Sequence, residues 1–310
     1  MKIVFMGTPE FAAHFLLHLH QSTHQIVGVV TQPDRPAGRG RVLTAPPVKV
    51  EAERLGYPVL QPSSVKDPEL VTALQAFNAD LFVVVAFSIL PKSVLAVSKR
   101  GAVNVHGSIL PKYRGAAPVQ WAIADGNKTT GVTIFLLDEK MDHGPILEQR
   151  EVSIDFQDTT ASLLDKMVAP ACEALDSALA RIESGNGEDL PAQVHAEASP
   201  APKIKKEDGI LDFTKSAAHL HDRIRAFNPW PGGYTTLANK MVYFRKTDVS
   251  DKMKLDPGQG RIDGMRLFVG TADGVLEVLE IQLEGKRAMP VCDFLKGLQN
   301  KEDLCFKTLV

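Results

Sequence analysis

Only three of the 310 residues are cysteine, Cys172, Cys292 and Cys305, and they lie far apart in the chain. No two form a CxxC pair, so neither a disulfide framework nor a cysteine-rich zinc site is indicated; reduced thiols of a cytoplasmic protein fit best. No apolar run approaches the roughly 18 residues at the lower end of a membrane span. The chain begins Met-Lys-Ile-Val-Phe-Met, a strand pattern, without the basic start and apolar stretch of a secretory signal. Charge of one sign is also missing. With 35 Lys and Arg against 37 Asp and Glu, the formal net charge is −2. Nothing pulls the whole molecule toward nucleic acid, so any such contact falls to local basic patches. The first strand is not followed by GxGxxG, which leaves Gly7 alone as weak evidence for a phosphate site. What is present is the composition of a soluble globular protein: 44% hydrophobic and 23% charged residues, in a length that suggests two domains.

The most informative stretch is Ala102 to Pro118, AVNVHGSILPKYRGAAP. Ala102 to Val105 reads as a buried strand that carries Asn104 and delivers His106, and Gly107 then breaks it. Two residues apart on a strand, Asn104 and His106 face the same way. An amide can donate to a developing oxyanion, and an imidazole can move a proton near neutral pH. Taken alone, such a pair is as readily a turn or capping group. A second stretch changes that balance: after the apolar strand Val132 to Leu137 comes Asp138-Glu139-Lys140-Met141-Asp142-His143-Gly144. Asp142 supplies the carboxylate that the pair lacks. Asp138 and Asp142 also suit loop caps. Neither His106 nor His143 sits in an HxH or HxxxH spacing, so no metal site is expected.

NVHGSILPKYRGAAP together with LDEKMDHGPI resembles the formyltransferases that use 10-formyltetrahydrofolate. By that resemblance the family's catalytic Asn, His and Asp fall on Asn104, His106 and Asp142. MGTPEFA at Met6 to Ala12, TQPDRPAGRG at Thr31 to Gly40 and RIRAFNPWPGGYT at Arg223 to Thr235 resemble the branch of the family that formylates methionyl initiator tRNA. The resemblance implies an α/β architecture. A Rossmann-like, mostly parallel sheet domain would span 1–184 and a linker 185–208. A small OB-fold-like β-barrel that binds tRNA would span 209–310. It also implies 10-formyltetrahydrofolate as co-substrate, initiator methionyl-tRNA as partner, no membrane and no metal, and a cytoplasmic monomer.

The rest of the chain agrees with that outline. Lys2 to Met6 is a strand, after which Thr8 is placed to cap a helix with Pro9 at its first position. Asp80 to Ala86 reads as a strand whose run LFVVVA is apolar without alternation, as in a parallel strand buried on both faces. Phe87, Ser88, Ile89 and Leu90 follow it, at the strand end where open α/β sheets bind ligands. The resemblance makes them one wall of the folate pocket. Ser108, Ile109, Leu110 and Pro111 would form another, with Asp138 beside them. Relatives commonly carry Tyr-Gly where this chain has Phe87-Ser88.

Gln32 to Pro47 carries Arg35, Arg39 and Arg41 among glycines and prolines. It reads either as a solvated loop or as a mobile basic arm that grips RNA. The resemblance favours the arm, with Arg39 foremost. Glu183 to Asp208, rich in Gly, Pro, Ala and charge, reads as a tether. Lys203, Lys205 and Lys206 in it would meet phosphate if tRNA passes there. A helix over Thr214 to Phe227 and strands at Tyr234–Leu237, Met241–Lys246, Arg266–Val269 and Val275–Ile281 complete a small barrel. Lys240, Arg245, Lys246, Lys252 and Lys254 are candidates for its phosphate-tracking face. Two other functions remain compatible with parts of this pattern. One is formyl transfer to an amino sugar, which needs neither the basic loop nor the barrel. The other is a non-catalytic RNA-binding regulator, which has no use for all of Asn104, His106 and Asp142.

Overall fold

The computed structural model describes residues 1–37, 40, 42–185, 190, 192–298 and 304–309. Two compact units emerge. Unit 1 takes residues 1–118, 129–153 and 164–200; unit 2 takes 119–128, 154–163 and 201–310. Among the described residues no helix is long and apolar enough to cross a membrane.

Unit 1 opens with β1 (Lys2–Gly7), α1 (Glu10–His20) and β2 (Gln25–Val30). A hairpin of β3 (Arg35–Ala37) and β4 (Val42–Thr44) follows. Then come α2 (Pro47–Arg54), β5 (Val59–Leu60), α3 (Pro68–Phe77), β6 (Leu81–Val85), α4 (Lys92–Leu95), β7 (Ala102–His106) and β8 (Arg114–Gly115). The chain continues through α5 (Pro118–Ala124), β9 (Thr129–Leu136), β10 (Ile146–Ser153) and α6 (Thr160–Glu183) to a short β11 (Pro200–Ala201). The main sheet has the order β10-β9-β7-β6-β1-β2-β5. β1, β2, β5, β6 and β7 run parallel, and β9 runs against them, paired antiparallel with both β7 and β10. The chain builds outward from β1 through β2 to β5, then crosses to the other side of β1 for β6 and β7. Such a reversal opens a crevice at the carboxyl ends of β1 and β6, with the end of β7 beside it.

Local chemistry explains the element ends. The Asp67 carboxylate accepts from the Glu69 N–H, Pro68 opens α3, and Asn78 closes it in the left-handed region at φ 47°. The expected cap at α1 is not made. Pro9 occupies the cap position and Glu10 starts the helix, so Thr8 lies one residue too early. The Thr8 hydroxyl is buried with no partner among the described residues. β6 is buried at all five positions, as its unbroken apolar run requires. Phe82 and Val84 on it pack with Val4, Met6, Leu70, Leu74 and Leu90. Each fully buried side chain of this kind contributes roughly 1.5–3 kcal/mol.

Unit 2 contains α7 (Ala217–Ala226), capped by the Ser216 hydroxyl, which accepts from the His219 N–H. Seven strands and a helix follow: β12 (Gly233–Leu237), β13 (Lys240–Ser250), β14 (Gln259–Asp263), β15 (Arg266–Gly270), β16 (Val275–Leu283), β17 (Met289–Pro290), α8 (Val291–Lys296) and β18 (Leu304–Lys307). The order β13-β12-β18-β14-β15-β16 closes on itself through β13–β16 pairing, giving a six-stranded antiparallel barrel. Its core holds Val242, Phe244, Leu267, Val269, Leu276, Val278 and Ile281, and Leu220 and Ile224 of α7 pack on it. The sequence reading lacked β14 and β18. Gln-Gly-Arg-Ile-Asp in β14 has no fully buried position, and β18 is only four residues long.

Candidate active site

β7 runs between β6 and β9, with Asn104 beside Val84 on one side and Phe135 on the other. Its alternation places Asn104 and His106 on one face, while Ala102, Val103 and Val105 are buried. His106 is only 5% exposed, with its ring edge-on to Phe135 at 6.4 Å between centroids. Its Nε2 lies 2.9 Å from the carbonyl oxygen of Tyr113. A carbonyl can only accept, so Nε2 carries the hydrogen and Nδ1 is the nitrogen left for chemistry. Nδ1 lies 3.8 Å from Oδ2 of Asp142. That is ion-pair range and longer than a direct hydrogen bond. The same Oδ2 accepts from the Gly115 N–H at 2.7 Å. The Asn104 amide has no hydrogen-bond partner among the described residues, which leaves its donors available.

The backbone here is strained where it touches the site. Asp142 has φ 49° and Tyr113 φ 58°, both in the left-handed region. Conformations that non-glycine residues rarely adopt cost roughly 1–3 kcal/mol and concentrate at functional sites. Here one aims a carboxylate and the other a carbonyl at His106.

The turn after β7 is stapled by Thr133. Its hydroxyl donates to the Ser108 carbonyl at 2.6 Å and accepts from the Leu110 N–H at 3.0 Å and the Gln149 amide at 2.9 Å. Gln149 also donates to the Leu110 carbonyl at 2.9 Å. Ser108 Oγ donates to the Lys112 carbonyl at 2.6 Å. Ser108 and Leu110 are buried, and their side chains and bonded backbone groups hold the turn. Ile109 and Pro111 are half-buried. A Cβ on Gly131 would come within 2.2 Å of the Arg150 carbonyl oxygen and 2.4 Å of Ile109 Cδ1. Only glycine lets β9 and the Ile109 turn approach so closely.

The second wall leaves β6 through Ala86, at φ 46°. Phe87 and Ser88 are half-buried, Ile89 is 61% exposed and Leu90 is buried. Lys92, just beyond, pairs with Glu139 at 2.9 Å and ties this wall to the loop that carries Asp142. Asp138 is already engaged, with Oδ2 2.6 Å from His143 Nδ1 and Oδ1 accepting from the Lys140 N–H at 2.8 Å. His143 stacks on His195 at 3.9 Å between ring centroids. Among the described residues no group of three His, Cys, Asp or Glu side chains is arranged to hold a metal.

The candidate RNA contacts are scattered. Arg35 is exposed on β3, which pairs with β4, and Val42 and Leu43 are exposed on that second strand. Arg39 and Arg41 lie outside the described residues. Lys203, Lys205 and Lys206 are exposed in unit 2. Arg245 is occupied within unit 2. Its Nε donates to Gln282 at 2.8 Å and its Nη1 to the Pro229 carbonyl at 2.8 Å, over the Tyr243 ring at 4.8 Å. Desolvation there pulls its pKa down.

Sequence reasoning missed the groups that hold the site together: the Tyr113 carbonyl, the Gly115 N–H, Thr133, Gln149, Arg114 and Gln193. Backbone groups leave no residue-type signal. Thr133 alternates on a strand like any buried threonine, and Gln193 sits in a stretch whose composition reads as tether.

Comparison with known proteins extends the picture. The family model described as "Formyl transferase" matches residues 1–179, and that described as "Formyl transferase, C-terminal domain" matches 203–299. A curated protein of Geobacter metallireducens named methionyl-tRNA formyltransferase is 41% identical over 299 residues, covering 96% of each chain. One of the same name from Clostridioides difficile is 43% identical over 303 residues, covering 96% of this chain and 97% of its own. Two solved structures share the fold at 19% identity. WlaRD, a sugar 3N-formyl transferase crystallised with dTDP and 5-N-formyl-THF, has a TM-score of 0.67, with 93% of this chain and 99% of that one covered. HypX of Aquifex aeolicus, in complex with tetrahydrofolic acid, has a TM-score of 0.66 over all of this chain, which spans about half of HypX (51%).

Proposed function

This chain belongs to the formyl transferase family, and we propose that it transfers the formyl group of 10-formyltetrahydrofolate to the free α-amino group of methionine on initiator tRNA. The product, N-formylmethionyl-tRNA, serves translation initiation. The observation that supports this reading is that Asn104 and His106 share one face of β7, with Nδ1 of His106 3.8 Å from the Asp142 carboxylate. The full-length similarity to curated methionyl-tRNA formyltransferases supports the acceptor.

The co-substrate supplies an activated formyl carbon. The walls that would receive it present the half-buried Ile109 and Pro111 on one side and the half-buried Phe87 and Ser88 with the exposed apolar Ile89 on the other. When the neutral methionine amine adds to the formyl carbon, a C–N bond forms and the carbonyl oxygen becomes an oxyanion. Asn104 donates to that oxyanion. Nδ1 of His106 takes the proton that the amine sheds and returns it to the folate nitrogen as the old C–N bond breaks. The Tyr113 carbonyl fixes the tautomer that makes Nδ1 the active nitrogen, and Asp142, 3.8 Å away, stabilises the transient imidazolium. No net proton remains on the enzyme.

Arg35, Arg39 and Arg41, together with Lys203, Lys205 and Lys206, would engage tRNA phosphates. The test is a transfer assay with 10-formyltetrahydrofolate and three acceptors: methionyl initiator tRNA, methionyl elongator tRNA and a UDP-amino sugar. Formylation of the initiator alone is expected. Transfer to the sugar would keep the catalytic trio and replace the acceptor. Failure with all three, in protein that still binds tRNA, would favour an RNA-binding role.

A further inference from the structure

Gln193 sits in the stretch whose composition reads as a tether, yet it is 5% exposed and its amide is fully used. Nε2 donates to the carbonyl of Asp142 at 3.1 Å and to that of Gly144 at 2.7 Å. Oε1 accepts from Nη2 of Arg114 at 2.5 Å. The residue after Arg114 is Gly115, whose N–H holds the Asp142 carboxylate at 2.7 Å. All of these residues belong to unit 1. Asp142 is therefore clasped twice, by its main chain through Gln193 and by its side chain through Gly115, and Arg114 joins the two clasps.

The loop needs such a clasp. Asp142 is held at φ 49°, and its neighbours Glu139, Lys140 and Met141 are exposed, so little apolar burial fixes this turn. One side of the loop is already pinned. A Cβ on Gly144 would come within 1.8 Å of the Leu136 carbonyl oxygen. Gln193 satisfies the carbonyls on both sides of His143, and without it two acceptors beside the active carboxylate lose their donor. His195 adds a second acceptor to Arg114 Nη2, with its Nδ1 at 2.9 Å, and stacks on His143, which bonds Asp138.

We infer that Gln193 is a positioning residue for the formyl-transfer reaction: its amide clamps the main chain around Asp142 and so fixes the carboxylate against Nδ1 of His106. This rests on reading Asp142 as the catalytic carboxylate. The segment 193–195 then supports the active site, through Gln193 on Asp142 and His195 on Arg114. The charged and titratable groups that face the clamp are Arg114, His195, His143, Asp138 and Lys140.

The experiment compares the full chain with Gln193→Ala and Gln193→Glu. Glu keeps an acceptor for Arg114 but turns a carboxylate oxygen toward the Asp142 and Gly144 carbonyls. Turnover of both variants is expected to fall roughly 10- to 100-fold, the size that misplacing a catalytic group by about 1 Å produces. KM for tRNA and for the folate is expected to stay within about threefold. A clamp that only stabilised the fold would lower melting temperature and active fraction, leaving turnover per folded molecule unchanged; that result would overturn the inference.

A second readout does not depend on the reaction. In ¹⁵N spectra of Gln193→Ala, the amide signals of Asp142, His143 and Gly115 should move while those of β1 and β2 stay in place. Unmoved Asp142 and Gly115 signals would also overturn it. Wild-type protein that formylates no acceptor would refute the proposed function, and the spectra would still decide whether Gln193 places Asp142.

Discussion

His106 and Asp142 meet at 3.8 Å through Nδ1 and Oδ2, and neither is free to turn away. The Tyr113 carbonyl holds the far nitrogen of the imidazole at 2.9 Å, and the Gly115 N–H holds the near oxygen of the carboxylate at 2.7 Å. The fixed gap is the basis for the first prediction. His106→Ala and Asn104→Ala should each lose at least about 100-fold in turnover, since acid–base help contributes about 10²–10⁴-fold and one oxyanion donor about 10²–10³-fold. Asp142→Asn keeps an oxygen for the Gly115 N–H and should fold normally while losing turnover. Steady-state kinetics with methionyl initiator tRNA tests all three, and near-normal turnover in His106→Ala and Asn104→Ala would refute the site.

Thr133→Val tests the staple under the proposed folate pocket. The swap is close in shape but removes a hydroxyl that serves the Ser108 carbonyl, the Leu110 N–H and the Gln149 amide. Buried groups left unpaired should cost about 1–3 kcal/mol of stability. The turn from Ser108 to Pro111 should loosen with it. Thermal unfolding should show the loss, and titration with a stable folate analogue should show weaker binding. Wild-type folate affinity in a destabilised variant would mean that this turn does not form the pocket.

What could be read in the sequence divides along a physical line. Asn104, His106 and Asp142 were legible because their residue types carry chemistry and two of them share a strand face. The parallel sheet was legible in Leu81 to Val85, whose apolar run has no polar face. The parts that stayed hidden are long-range and backbone-mediated. The Tyr113 carbonyl and the Gly115 N–H have no residue-type signature, and Gln193 reaches Asp142 across 51 residues. Thr8 was misread because its neighbour Pro9 can open a helix or stand in the cap position, and the chain uses the second. β14 was missed because Gln259 to Asp263 buries no position completely, so its place in the barrel comes from pairing with β15 and β18.

His221 gives unit 2 a pH dependence of definite sign. Its Nε2 donates to the Phe156 carbonyl at 2.9 Å and its Nδ1 faces the Thr247 hydroxyl at 3.0 Å, with the ring stacked on Phe156. Desolvation by burial is the largest cause holding its pKa below the ordinary 6.5. The Phe156 carbonyl opposes it and Arg225 adds to it, while Asp222 and Asp248 pull upward. The unfolded chain therefore takes up a proton at a higher pH than the folded one. The neutral ring's contribution is complete above about 6.5 and is lost as pH falls through that value toward the folded pKa. His24, His195 and His219 are shifted the same way and add to the trend. Melting temperature should drop on mild acidification, and His221→Gln should flatten part of the drop. An unchanged pH slope in that variant would remove His221 from the account.

Lys203, Lys205 and Lys206 provide the sharpest test of tRNA recognition, because all three are exposed and lie away from the trio in sequence. If they neutralise phosphates, replacing them with alanine should weaken tRNA binding and flatten its salt dependence. Every lysine–phosphate pairing removed should reduce the log–log slope by roughly 0.7–0.9. Turnover at saturating tRNA should be preserved, since none of the three is near His106 in the chain or bonded to the groups that hold it. A variant with the wild-type salt slope would assign these lysines to solvent. One with a reduced slope and lowered turnover at saturation would mean that the bound tRNA end needs them to reach the formyl donor.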